Sequence, residues 1–165
     1  MRNNMPEALA EEVRIAVIEE HELYRKGLCL LLSERYGMKV VSDAATWAEA
    51  RPHIQREQPD IVLLAVAQSN SDSLDMLPQL FAASETIKVL ALLESGDKGL
   101  PRRAMRLGAS GVVFKNKSAD MLFKAIECVH AGEAWLDRST TASLLRELSP
   151  RNKPPQKDPE EMKIS

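Results

Sequence analysis

The sequence predicts a doubly wound α/β fold, in which helices cover both faces of a five-stranded parallel sheet. Five short apolar runs are rich in Val, Ile and Leu and show little alternation with polar residues, which is typical of strands buried on both faces. Each run is followed by a stretch of helical periodicity that is long enough to cross back over a sheet. This regular alternation predicts parallel strands joined by crossover helices.

The predicted strands and helices alternate along the chain. The strands are Val13–Ile18, Lys39–Ser42, Ile61–Ala65, Lys88–Leu93 and Gly111–Phe114. The helices that follow them are His21–Arg35, Thr46–Gln55, Ser73–Ala83, Leu100–Leu107 and Ser118–His130, and a sixth is predicted at Ser139–Leu148.

Local signals support two of these helices. Thr46 and Glu49 have the spacing of a capping box, whereas Pro52 inside the same stretch leaves the length of that helix open. Ser118 is a good N-cap for the fifth helix, and Gly132 is a stop signal after it. The fifth helix is therefore the better defined of the two.

Length and composition indicate one domain with two tails. The chain has 165 residues, of which 44% are hydrophobic, enough for a core. Residues 1–12 are predicted to be a flexible N-terminus, 13–148 the domain, and 149–165 a solvated linker rich in Pro, Lys, Asp and Glu. We expect a further domain to follow that linker.

Charge and cysteine content limit the classes of function that the chain could have. The formal net charge is −2, so a nucleic-acid interface within this segment is weakly supported. Cys29 and Cys128 lack CxxC spacing and are expected to be reduced thiols of a cytoplasmic protein. The N-terminus has no apolar core of a secretory signal, and no apolar run approaches the ~20 residues that span a bilayer.

A ligand site of such a sheet lies beyond the carboxyl ends of its strands. The residues to consider there are Glu19 and Glu20 after the first strand, Ala65 ending the third, Leu93 ending the fourth and Lys115 after the fifth. His21, His53 and His130 form no metal-ligand spacing, and His21 has no nucleophile placed beside it by any motif.

Several segments, in order, resemble the receiver domain of LuxR/NarL-type bacterial response regulators. They are Val17-Ile18-Glu19-Glu20-His21, Pro59-Asp60-Ile61-Val62-Leu63-Leu64-Ala65, Gly108-Ala109-Ser110-Gly111-Val112-Val113-Phe114-Lys115 and Ala131-Gly132-Glu133-Ala134-Trp135-Leu136. The resemblance implies a flavodoxin-like (CheY-like) fold. It also implies a pocket in which an acidic pair binds Mg²⁺, an aspartate accepts phosphate and a lysine contacts the phosphoryl group.

The sequence departs from the receiver pattern at linked positions. The resemblance places Ala65 at the acceptor position, and a methyl group cannot attack phosphorus. Leu93 replaces the Ser or Thr that donates a hydrogen bond to phosphate, and Val112 occupies the aromatic switch position. Gln68-Ser69 stands where Met-Pro is usual. The resemblance therefore indicates an atypical receiver with a degenerate phosphorylation pocket.

The remaining pocket residues are Glu19, Glu20 and Lys115. With one carboxylate lost at Ala65, we expect no bound metal and no cofactor. The alternative to a metal site is an ion pair between Lys115 and one of the two glutamates.

The function expected from this reasoning is non-enzymatic and independent of phosphorylation. The domain would control the DNA-binding output of a transcription factor through protein contacts or dimerisation, with DNA bound by a C-terminal helix-turn-helix domain beyond this chain. The expected partner is a second copy of the chain or another regulatory protein, and no contact with a membrane is expected. A flavodoxin-like enzyme is disfavoured because no phosphate-binding Gly-rich loop and no nucleophile–base pair is found.

Two alternatives remain open: a protein-docking adaptor, or a receiver that senses a small ligand such as a cyclic dinucleotide. Trp135-Leu136-Asp137-Arg138 is similar to a motif of cyclic-di-GMP-binding relatives, although Asp137 departs from it and would repel phosphate. A basic patch on the fourth helix is either a solvated face or a protein-contact face; it comprises Arg102, Arg103 and Arg106.

Overall fold

The computed structural model describes residues 12–94 and 99–148, with the side chains of residues 68–71 left aside. The predicted N-terminus up to residue 11 and the predicted linker, residues 149–165, lie outside the described residues. The chain divides into two compact units, Met1–Trp135 and Leu136–Ser165. The first contains the sheet, and the described part of the second contains one helix.

The sheet confirms the predicted fold class. It has five parallel strands in the order β2-β1-β3-β4-β5. The strands are β1 Val13–Ile18, β2 Met38–Ala44, β3 Ile61–Val66, β4 Lys88–Leu93 and β5 Gly111–Phe114. Three of them have the predicted bounds, because continuous apolar runs mark both ends of a strand that is buried on both faces.

Six α-helices accompany the strands. They are α1 Glu22–Ser33, α2 Trp47–Glu57, α3 Leu77–Ala83, α4 Gly99–Arg106, α5 Ala119–His130 and, in the second unit, α6 Arg138–Leu148. One core cluster joins Leu28 and Leu32 of α1 to Ile126 and Val129 of α5 over one face of the sheet. Since strand side chains alternate between faces, the buried residues of α2, α3 and α4 cover the other.

The start of the third helix differs from the prediction. A 3-10 helix occupies Gln68–Met76, and α3 begins only at Leu77. Leu74 and Met76 are buried in the 3-10 segment, so apolar spacing alone did not separate it from the α-helix that follows.

The second helix contains Pro52, as predicted, and ends at Glu57, two residues beyond the predicted end at Gln55. Thr46 accepts a hydrogen bond from the Glu49 amide, as the capping-box spacing predicts. Ile54, beyond the proline, is fully buried, and tertiary packing of this kind offsets the one backbone hydrogen bond that proline removes.

Two signals at the end of the first unit are confirmed. The Ser118 hydroxyl accepts a hydrogen bond from the Met121 amide at 3.2 Å and so caps α5. Gly132 has a φ of +97° after the helix, which explains why glycine ends it.

Both cysteines are free thiols in this structure, and no described helix is long and apolar enough to cross a membrane.

Gly27 offers a direct test of α1. It lies inside the helix, and a Cβ atom built there meets no atom within 4 Å. We expect Gly27→Ala to raise the free energy of unfolding by about 0.5–1 kcal/mol, because alanine loses less backbone entropy on folding. Chemical denaturation followed by far-UV circular dichroism measures this change.

Gly111→Ala is the matched control, because its Cβ would lie 2.9 Å from the backbone oxygen of Trp135. This variant should be destabilised by about 1–3 kcal/mol, as overpacking typically costs. Equal effects of the two substitutions would contradict the described environments of the two glycines.

Candidate functional site at the carboxyl edge of the sheet

The predicted site residues lie near the carboxyl ends of four parallel strands. Glu19 directly follows β1, Ala65 is the penultimate residue of β3, Leu93 ends β4 and Lys115 follows β5. Parallel strands bring these ends to one edge of the sheet, the place where ligands bind in folds of this class.

Glu19 and Lys115 form an ion pair at this edge. The Glu19 carboxylate is only 2% exposed, and its Oε1 lies 3.1 Å from Nζ of Lys115, which is 15% exposed. The other oxygen, Oε2, accepts a hydrogen bond from the backbone N–H of His21 at 2.6 Å. A buried charge requires such compensation, so both oxygens of Glu19 are engaged within the protein.

Tyr24 completes the surroundings of the lysine. Its ring centroid lies 4.9 Å from Nζ of Lys115, a cation–π distance. Burial raises the pKa of the Tyr24 phenol, and the negative charge of Glu19 raises this pKa further. The phenol therefore stays neutral at physiological pH, and the lysine is held between a carboxylate and an uncharged ring.

Glu20 is separated from its sequence neighbour. It is exposed and lines a cleft of about 320 Å³ together with Ala65, Trp47 and Asp72. Lys115 instead lines clefts on the side of α1, one of about 470 Å³ and one of about 530 Å³. The structure thus brings Glu19 together with Lys115, and Glu20 together with Ala65.

Leu93 and Val112 belong to the apolar interior. Leu93 is fully buried, and its carbonyl accepts a hydrogen bond from the Lys115 amide at 2.7 Å. Val112 is 3% exposed, and its amide donates to the carbonyl of Trp135 at 2.8 Å. Neither side chain carries a hydrogen-bond donor for a phosphoryl oxygen.

The residues present do not fit the Mg²⁺ ion that the receiver resemblance implies. Magnesium requires several oxygen ligands at about 2.0–2.1 Å. Glu19 has committed both of its carboxylate oxygens to Lys115 and His21, and the side chain of Ala65 carries no oxygen. Within residues 12–94 and 99–148, no group of three His, Cys, Asp or Glu side chains could hold a metal ion.

Other residues singled out in the sequence have structural roles here. His21 is at the N-cap position of α1 but makes no side-chain capping bond, and Nδ1 of His53 lies 2.8 Å from Nη2 of Arg56. Within the basic patch, Arg103 pairs with Asp75 of the 3-10 segment.

The segment that is similar to a nucleotide-binding motif has local partners. The Asp137 carboxylate accepts a hydrogen bond from the Thr140 amide at 3.2 Å and so caps α6. The backbone of Trp135 bonds to Ser110 and Val112 beside β5. Asp137 therefore has a helix-capping role that requires no ligand.

Sequence reasoning missed Tyr24 and the amide of His21. The tyrosine has no distinguishing feature within a helical pattern, and a backbone N–H has no sequence signal. The short Glu19-Glu20-His21 corner after β1 was the one available hint, because a carboxylate two residues before an amide can bond to it in a turn.

Comparison with known proteins gives the family of the chain. The sequence model of the response regulator receiver domain family matches residues 15–127. The transcriptional regulatory protein LnrK of Bacillus subtilis is 31% identical over 82% of this chain. The chain spans 61% of the length of LnrK, and similar shares of the relatives DegU and NreC.

Solved structures agree with this match. A LuxR-family DNA-binding response regulator from Silicibacter pomeroyi aligns with a TM-score of 0.65 at 26% identity, covering 78% of this chain and 98% of that one. A structure of RcsB dimers bound to two parallel DNAs shares the fold alone, with a TM-score of 0.75 at 12% identity over 93% of this chain and 75% of that chain. The chain belongs to the response regulator receiver domain family, among relatives of the LuxR/NarL type.

Proposed function

We propose that this receiver domain signals without being phosphorylated, and that it controls the output of a DNA-binding domain through protein contacts. The observation that carries the proposal is the closed ion pair between Glu19 and Lys115 at the carboxyl edge of the sheet. In the receiver pattern these two charged residues bind metal and phosphate; here each is compensated by the other.

The chemistry of the acceptor position supports the same proposal. Formation of an acyl phosphate needs a carboxylate oxygen that attacks phosphorus. The resemblance assigns that role to Ala65, whose side chain is a methyl group. A transferred phosphoryl group would also lack the hydroxyl donor that Leu93 replaces. The acceptor and the phosphate contact are thus absent together.

The proposed output follows from the relatives. LnrK is a transcriptional regulatory protein, and the Silicibacter pomeroyi relative is a DNA-binding response regulator of the LuxR family. We propose that a helix-turn-helix domain, in the part of the relatives that this chain does not span, binds DNA in the cytoplasm. A docking adaptor would instead lack that domain.

Assembly of two copies is the proposed means of control. RcsB is described as dimers on DNA. The outer side of α1 and the residues that follow it expose large apolar side chains, among them Leu30 at 64% and Tyr36 at 75%. Exposed apolar groups clustered on one element mark an interaction surface.

The first prediction concerns phosphodonors. After incubation with acetyl phosphate and Mg²⁺, intact-mass spectrometry should detect no phosphoryl adduct, because Ala65 has no nucleophilic oxygen. A receiver that retains its aspartate, treated in parallel, is the positive control. An adduct that is labile to hydroxylamine and maps to the edge of the sheet would refute phosphorylation independence.

The Ala65→Asp variant extends this test. The new carboxylate would share a cleft with Glu20 and Asp72, and clustered like charges disfavour ionisation. We expect at most a low level of modification and no donor-dependent change in sedimentation. A clear change in assembly would mean that only the acceptor had been lost.

The second prediction concerns the ion pair. Lys115→Met should lower the free energy of unfolding by about 2 kcal/mol, less than the ~3–5 kcal/mol of a fully buried pair, because Glu19 keeps the His21 hydrogen bond. Urea denaturation measures the loss. Lys124→Met, at an exposed lysine of α5, should change stability by no more than about 0.5 kcal/mol; matching losses would contradict a special role for Lys115.

The third prediction concerns assembly through α1. Burying a leucine contributes about 1.5–3 kcal/mol, so Leu30→Gln should weaken self-association by at least about tenfold, as measured by sedimentation equilibrium. Leu145→Gln on α6 is the matched control, because Leu145 is similarly exposed, at 61%. Two results would exclude α1 as the surface of self-association: a native chain that stays monomeric, or self-association that is weakened by Leu145→Gln and not by Leu30→Gln.

A further inference from the structure

A groove between α1 and α5 runs along one face of the sheet. Its volume is about 530 Å³, within the roughly 300–1,000 Å³ of small-molecule sites. Leu92 of β4 and Val113 of β5 line it, as do Leu28 of α1 and Leu122 of α5. Its lining is mainly apolar, so it suits the body of a hydrophobic ligand.

Gly27 widens this groove. The residue lines it from α1, and a Cβ atom built at that position meets nothing within 4 Å. The space over the helix is therefore open where any other residue would project a side chain into it. One larger side chain at position 27 would fill part of the groove without a clash at its first carbon.

One end of the groove is cationic. Lys115 and Lys117 both line it. The charge of Lys115 is compensated by Glu19, whereas Lys117 is exposed and its ammonium forms no ion pair within the part of the chain that the structure describes. Ser118, at the N-cap of the 12-residue α5, lies at the same end, where the helix dipole favours an anion.

We propose that the groove binds a small amphipathic carboxylic acid, with its aliphatic or aromatic body between α1 and α5 and its carboxylate at Lys117. An acid of about ten carbons suits a cavity of this size. The mainly apolar lining disfavours a polar cyclic dinucleotide in the groove. A site for this class of ligand goes beyond the proposed function, although its use as the input signal would rest on that function.

The positive end favours a free anion over a second copy of the chain. A two-fold interface buries the same patch of both subunits. If the groove were that patch, Lys117 of each copy would need an acidic partner within it, and none of the described residues that line the groove is acidic. A small anion instead brings the complementary charge.

The test is calorimetric titration of the full chain with decanoate, kept below its micelle concentration. We expect saturable binding of one equivalent. Decyltrimethylammonium, with the same apolar chain and the opposite charge, should bind at least about fivefold more weakly. Absence of saturable decanoate binding, or equal binding of both probes, would overturn the proposal.

Three variants locate the binding site. Lys117→Gln should weaken decanoate binding about fivefold, as expected for loss of an exposed ion pair, whereas Lys124→Gln, at an exposed lysine within α5, should not change it. Gly27→Leu should weaken it at least about tenfold by filling the groove. Melting curves of each variant confirm that it is folded.

Two further outcomes separate the possible occupants. Undiminished decanoate binding in folded Gly27→Leu would place the ligand elsewhere and overturn the proposal. If the native chain does not bind decanoate and Gly27→Leu abolishes self-association, the groove would instead be assigned to a second copy of the chain. A phosphoryl adduct on the native chain would refute the proposed function and leave the calorimetric result standing.

Discussion

The buried carboxylate of Glu19 constrains the whole edge of the sheet. Strands β1 and β5 are not neighbours, since β3 and β4 lie between them. The ion pair nevertheless joins the residues that follow these two strands, and the His21 hydrogen bond fixes the start of α1 against the same carboxylate. Desolvating a charge is costly unless it is paired and hydrogen-bonded, so the positions of Lys115 and the first turn of α1 depend on Glu19.

The sequence predicted the sheet better than the helices, for a physical reason. A strand buried on both faces reads as an unbroken apolar run, and β1, β4 and β5 have the predicted bounds. The helix ends were less certain because packing overrides local preference. Burial of Leu74 holds a 3-10 segment where the third helix was predicted to begin, so α3 starts only at Leu77.

The candidate site was predicted residue by residue but not in its arrangement. Strand order and family resemblance were enough to single out Glu19, Glu20 and Lys115. They could not tell which glutamate turns inward, because that depends on where the His21 amide and Tyr24 lie in three dimensions. The groove beside Lys115 was likewise missed, since it arises from the spacing between two helices.

The retained charged residues do not by themselves argue for retained phosphate chemistry. Loss of Lys115 alone would leave the Glu19 charge buried with only a hydrogen bond, and loss of Glu19 alone would leave the lysine largely desolvated. Either loss is costly, so stability is by itself a sufficient reason for both residues to be present. Leu93 and Ala65 do not depend on a charged partner in this way, because an apolar side chain near the end of a buried strand needs no ion pair or hydrogen bond. The buried ion pair and the apolar side chains of Ala65 and Leu93 can therefore coexist at one edge of the sheet, which is the combination found here.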